Sequence, residues 1–195
     1  MARPDSYLQF HPATRAEWRQ WLAAHHAESP GVWLVYFKKE TGQGRVSYAE
    51  SVEEALCFGW IDSLPRRLDA DRTMLLFTPR KPRSGWSKVN KQRLLALEAA
   101  GLLEPAGRAA IEKAKQNGAW ESLDAAEAGL VPNDLAEALA ANAEAARRFA
   151  GFSPSARKQL LSWVLGAKRP ETRAIRIVET VRMAALGKRA NFDQP

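Results

Sequence analysis

Cysteine is almost missing from this chain of 195 residues: Cys57 stands alone. That excludes an intramolecular disulfide and any all-cysteine metal site. Histidine is scarce as well. His11, His25 and His26 show no metal-ligand spacing. The chain carries no Ser-His-Asp signature, no HExxH, no glycine-rich dinucleotide fingerprint and no zinc ligand set, so no metal and no cofactor is expected. Long hydrophobic runs are also lacking. GVWLVYF at 31–37 has the length of a strand, against the ~18–20 apolar residues a membrane span requires. The opening MARPDSYLQFHP has no apolar h-region, which predicts no secretory leader. What remains is 46% hydrophobic and 26% charged, the composition of a soluble globular protein, and a cytoplasmic location is expected. The length suits one large domain or two small ones.

The charge is unevenly placed. The net charge is +7. Residues 62–93 hold nine Lys/Arg against three Asp/Glu, and residues 147–189 hold eleven against two. Between them, residues 94–146 hold three against nine. Such blocks steer anionic partners, or pair with one another inside the fold.

Periodicity predicts the elements. TRAEWRQWLAAHHA at 14–27 reads as a helix capped by Thr14, with Glu17 three residues on and Trp18, Trp21 and Leu22 on one face. Pro30-Gly31 breaks the chain before a strand from Val32 to Lys38. Ser47, with Glu50 in reciprocal position, caps a helix whose inner face is Val52, Ala55 and Leu56. Glu53 and Glu54 on that helix read as solvated. Two strands follow, Ile61 to Leu68 and Thr73 to Thr78, joined by Asp69-Ala70-Asp71-Arg72. Together these predict a small, mostly antiparallel sheet of about three strands.

From Ser87 onward everything reads helical: 87–100 with Val89, Leu94 and Leu97 inward, 105–117, 133–142 with Asn133 as cap, 143–149, 153–166 with Pro154 at its first turn, and 171–186. Residues 190–195 read as frayed. The fold class is therefore α+β. The predicted organisation is an α/β domain with trailing helices over residues 1–120, a linker at Glu121–Glu127, and a helical module over 130–190.

Candidate site residues gather in CFGWIDSLPRRLDADRTMLLFTPRKPRSGW, residues 57–86. Trp, Arg and Asp together more often build a site than a core. Arg80 and Arg83 could bind phosphate or carboxylate in bidentate fashion. They sit in a loop that leads to a helix N-terminus at Ser87, where Ser84, Ser87 and Asn90 add polar groups. Trp60 and Trp86 stack a planar ligand or fill the core. Asp62 orients an arginine or a ligand amine, or pairs internally with Arg66, Arg67 or Arg80. The Walker spacing of a phosphate-binding loop is absent. Lys168, Arg169, Arg173 and Arg176 form a second candidate basic site. Arg169, Arg173 and Arg176 share one helix face, to be satisfied by an anion or by acids of the 121–144 segment. Cys57, at a helix C-terminus, reads first as packing, because that end of the dipole raises a thiol pKa.

GVWLVYFKK at 31–39, YAESVEEALCFGWIDS at 48–63, FTPRKPRSGWSKVNKQRL at 77–94, AAIEKAKQNGAW at 109–120 and the long run from VPNDLAEALAANAEAARRF to AKRPETRAIRIVETVRMAALGKR resemble the YdeI/OmpD-associated, bacteriocin-protection family. The resemblance implies a role in envelope stress or in resistance to bacteriocins and cationic antimicrobials, and brings no catalytic residue set. The expected function is a non-enzymatic stress-protection or binding protein. It would recognise an anionic small molecule, a lipid headgroup or a partner protein through Trp60, Asp62, Arg67 and the Arg80–Asn90 loop. An enzyme using Cys57 or Asp62 beside arginines is the alternative. Nucleic-acid binding through the basic blocks ranks last, since no reader motif is present.

Overall fold

The computed structural model of the chain describes residues 6–193. The chain divides into two compact units, Met1–Trp120 and Glu121–Pro195.

The first unit has the predicted α+β architecture. Helix α1 (Arg15–His25) starts at Thr14, whose hydroxyl accepts the Glu17 N–H. Strand β2 (Val32–Phe37) follows, then helix α2 (Tyr48–Cys57), whose Ser47–Glu50 capping box is complete. Strands β3 (Trp60–Arg67) and β4 (Arg72–Pro79) form a hairpin. Asp69 holds its turn by accepting the N–H groups of Asp71 and Arg72. Helices α3 (Lys88–Ala99) and α4 (Pro105–Gln116) complete the unit.

The sheet has four strands in the order β1-β2-β4-β3, not three. Strand β1 is Leu8–Phe10, parallel to β2. Three residues are too few for an alternation to be read, so pairing geometry and not pattern makes this strand.

One face of the sheet packs Val32, Leu34, Leu75, Phe77 and Trp60 against Trp18 and Leu22 of α1 and Val52, Ala55 and Leu56 of α2. Trp18 stacks on Trp21 at 5.3 Å and meets Phe77 edge-on at 5.4 Å. The opposite face buries Trp33, Val35, Met74 and Leu76. With both faces covered, the unbroken apolar run MLLF is accounted for. In α3 the buried positions are Asn90, Leu94 and Leu97, while Val89 is exposed. Leu94 is five residues from Val89, off the helical period, and four from Asn90, on it.

Of the pair Glu53-Glu54, Glu54 is not solvated, and Glu53 is partly exposed. Glu54 is 2% exposed and is gripped by Arg15 at 2.5 Å and Arg19 at 2.7 Å, while Arg15 also reaches Glu53 and Arg19 reaches Glu104. Two helices can mask a carboxylate only by supplying its countercharge.

The second unit is helical: α5 (Asp124–Glu127), α6 (Asn133–Ala140), α7 (Ala143–Gly151), α8 (Pro154–Leu165) and α9 (Pro170–Ala185). Its core is built from Leu135, Leu139, Phe149, Leu160, Leu161, Val164, Ile177 and Met183. The 121–127 segment expected as a linker forms α5, with Ala126 buried in this core. Pro132, not Asn133, occupies the α6 cap position. Asn142 caps α7 by accepting the Ala145 N–H, which separates α6 from α7. Residues 190–193 are held: Ala190 is fully buried, and Arg189 bonds Asp193 through side chain and backbone. No helix among the described residues is long and apolar enough to cross a membrane.

Candidate functional site

A cavity of ≈ 720 Å³ opens on the helical face of the sheet, beyond the N-terminus of α2. Tyr36, Thr73 and Leu75 come from β2 and β4, Asp62, Pro65 and Arg67 from β3, and Arg45, Ser47 and Tyr48 from the start of α2 and the segment before it; at the β3 edge the lining extends to Ser63, Arg66 and Met74.

An irregularity in β3 decides which side chains face this cavity. Asp62 pairs with Phe77, but the next registered pair is Pro65 with Leu75, followed by Arg67 with Thr73. Two residues, Ser63 and Leu64, stand opposite Leu76 alone. A bulge of this kind re-aims the strand beyond it, because side chains alternate faces. It puts Pro65 and Arg67 on the face of Asp62. Arg66 goes to the other face, where its guanidinium lies 4.7 Å from the Trp33 ring. A regular strand would have exchanged the two arginines. The proline is tolerated because β3 is an edge strand.

The polar groups divide between two ends. At one, Tyr48 donates its hydroxyl to Asp62 Oδ2 at 3.1 Å. The capping box places Tyr48 at the first position of α2, and its side chain remains half exposed. At the other end, Arg67 Nε donates to the Asp69 carbonyl at 3.0 Å, and Arg45 Nη1 donates to the Phe37 carbonyl at 3.0 Å. Phe37 pairs with Arg72 and Arg67 with Thr73, so both arginines belong to the same end of the sheet.

Between the ends lies Tyr36. The Ser51 hydroxyl donates to the Tyr48 carbonyl at 2.8 Å, which leaves its oxygen to accept the Tyr36 hydroxyl at 2.7 Å. Burial pushes the Tyr36 phenol up, and burial followed by the Asp62 charge pushes up Tyr48. Both phenols are therefore proton-bearing donors at neutral pH.

Of the sequence candidates, Asp62 and Arg67 line this cavity. Trp60 is 1% exposed, in the core, with Nε1 donating to the His26 carbonyl at 3.2 Å. The Arg80–Asn90 loop folds on itself. The Arg80 guanidinium lies 3.6 Å from the ring centre of buried Trp86, and Nη2 donates to the Gly85 carbonyl at 2.5 Å. Burial lowers the Arg80 pKa to about 10, against the opposing effect of Asp62. Arg83 is exposed, and the Ser84 N–H closes a turn on the Lys81 carbonyl. Ser87 caps α3 by accepting the Asn90 N–H, and the Asn90 side chain accepts from Arg93.

Sequence reasoning did not select Tyr36, Arg45 or Tyr48 as site residues, and took Ser47 only as a cap. The cap signal does place Tyr48 at a helix start. Nothing local says that Asp62 faces it. Cys57 is fully buried, its thiol pushed up to about 11 by burial and then by the Glu54 charge. It packs.

Comparison with family profiles assigns both units. Residues 10–110 match the family described as a domain of unknown function (DUF8412), a match spanning just over half of the chain. The chain belongs to that family. Residues 130–187 match the family described as Bacteriocin-protection, YdeI or OmpD-Associated, in agreement with the resemblance carried by the C-terminal motifs. Comparisons with curated proteins and with solved structures each gave no match.

The second basic cluster lies within the segment 130–187 that matches the YdeI/OmpD-associated family. Arg173 is bound by Asp134 through two hydrogen bonds of 2.6 and 2.9 Å. Arg176 donates to the Trp163 carbonyl and lies over the Trp163 ring. Lys168 and Arg169 are exposed. Two of the four cations in this cluster thus have internal partners, one of them an acid of the 121–144 segment.

Proposed function

We propose that this protein is a non-enzymatic binding protein whose first unit takes up an anionic small molecule in the cavity between α2 and the β3–β4 hairpin. It would act in the cytoplasm, in protection against bacteriocins or other cationic antimicrobials. One observation carries the reading: Arg45 and Arg67 both stand at one end of a ≈ 720 Å³ cavity, and among the described residues no carboxylate is bound to either. The volume lies in the range of small-molecule sites, and arginine forks match phosphate and carboxylate oxygens. The Arg80–Asn90 loop, closed on Trp86, supports the hairpin instead of receiving the ligand.

Cys57, the thiol an enzyme reading would use, is not among the residues lining the cavity. Cys57 is buried with its proton retained, and Asp62 accepts from Tyr48. The test is a thermal-shift panel of sugar phosphates, nucleotides, carboxylates and lipid headgroups on native protein, Arg67→Ala and Arg83→Ala. A ligand at ~100 times its dissociation constant adds about 2.7 kcal/mol. The expected result is a shift abolished in Arg67→Ala and kept in Arg83→Ala. The reverse pattern would return the site to the basic loop. No shift with any compound would favour a protein partner.

A further inference from the structure

We infer that the occupant of this cavity is bipolar: an anionic group held by Arg45 and Arg67, and an amine or hydroxyl donor held by Asp62. The inference rests on the cavity being a ligand site and adds the class of ligand.

Asp62 is the only carboxylate among the described residues that line the cavity. Tyr48 engages Oδ2, and among the described residues Asp62 makes no ion pair and Oδ1 makes no hydrogen bond. A half-buried carboxylate with one free oxygen beside an opening is built to accept a donor. At the other end, among the described residues, Arg45 and Arg67 are steadied by backbone carbonyls alone. Six arginines outside the cavity, Arg15, Arg19, Arg72, Arg108, Arg173 and Arg189, do bond a carboxylate, whereas Arg80 and Arg176, which among the described residues do not, lie against tryptophan rings.

The unpaired charges of the cavity do not neutralise each other because of their placement. Asp62 registers with Phe77 and Arg67 with Thr73. Four residues of strand separate these positions, ~13 Å. Between them the floor is Leu75, Pro65 and the Tyr36 ring, which offers no charge. A purely anionic ligand would satisfy the arginines and bring its negative charge towards Asp62. A ligand with an anion at one end, an apolar middle and a donor at the other satisfies Arg45, Arg67 and Asp62 together, while Arg66 lies over the Trp33 ring.

The test uses the full chain and calorimetric titration with a series of ω-aminoalkyl phosphates of graded length. The matching ω-hydroxyalkyl phosphates and plain alkyl phosphates serve as comparison arms. At the optimal length the amine or the hydroxyl compound is expected to bind about tenfold tighter than its plain alkyl counterpart, the gain of one charge-assisted hydrogen bond. The amine and hydroxyl arms tell the two donors apart. Asp62→Asn should erase that preference while plain alkyl phosphate still binds. Arg67→Gln should weaken every compound alike. Retained binding of plain alkyl phosphate shows that the Asp62 variant is folded, and Arg83→Gln, an exposed position outside the cavity, should leave the preference as it is in native protein.

Equal binding of plain and ω-substituted phosphates overturns the bipolar ligand and leaves the anion site standing. So does a preference that survives Asp62→Asn. Absence of binding by every compound, with Arg67→Gln indistinguishable from native, overturns both readings.

Discussion

Arg80 carries two buried polar atoms, Nε and Nη1, with no hydrogen-bond acceptor among the described residues. Its face is spent on Trp86 and its remaining nitrogen on Gly85. A buried, under-satisfied guanidinium is costly to keep and its stem is useful packing. Arg80→Met keeps the stem and removes the unmatched donors, so it should be at least as stable as native in urea unfolding. Arg80→Ala loses the contact with Trp86 and should be less stable by about 1–2 kcal/mol.

Cys57 makes a pH prediction with a definite sign. Its ordinary pKa is 9.0 and the folded value is about 11. Below pH 9 the thiol is protonated in both states and the stabilisation is fully present. Between pH 9 and 11 the unfolded chain releases the proton first, so stability falls as pH rises through the folded value. The loss should be on the order of 2–3 kcal/mol. Comparing native protein with Cys57→Ala across that window isolates it, because the variant should lack this component of the decline.

At the scale of elements, two contacts tie the helices of the first unit together. Glu54 of α2 is the shared partner of Arg15 and Arg19 of α1. Glu54→Gln keeps the shape and removes the charge that both arginines need, and should lower stability by about 2 kcal/mol in denaturant titration. The second contact is between α2 and α4. A Cβ built on Gly107 would fall 2.3 Å from the Cys57 carbonyl oxygen and 2.8 Å from its carbon. Both neighbours are backbone and cannot swing aside. Gly107→Ala should therefore separate the helices and cost about 3 kcal/mol or more, read as a drop in melting temperature.

Gly59 shows the same economy of space. It ends α2 with φ 72, and a Cβ there would meet the Ala106 carbonyl at 2.9 Å. In the CFGW motif the glycine is thus both a left-handed stop and a surface for α4.

For the whole molecule, the separate cores of the two units set the expectation. The segment 121–195, expressed alone, should give a helical circular-dichroism spectrum and a cooperative melt, since domains of roughly 60 residues can fold unaided. A fragment that stays unfolded would mean that the second core needs the first unit. The charge blocks belong to this scale too. Within the second unit, Asp134 takes Arg173, Glu127 takes Lys158, and Glu144 takes Arg147 and Arg148. Part of the charge that could face an outside partner is balanced within the unit.

Although β1, α5 and the start of α6 escaped it, the sequence by itself determined most of the elements, the caps of α1 and α2, and the fold class. Those depend on neighbours within a turn: Ser47 and Glu50, Thr14 and Glu17, the 3.6-residue spacing of Trp18, Trp21 and Leu22. It also marked Asp62 and Arg67, because Asp and Arg beside tryptophans are conspicuous at any distance. Only the tertiary structure decided what those residues do. Arg45 and Tyr48 reach the cavity of Asp62 through the packing of α2 on the sheet, and Arg80 turns inward because Trp86 is there to receive it. The bulge after Asp62 chose Arg67 over Arg66, since a shift of register inverts every face beyond it and leaves no local trace.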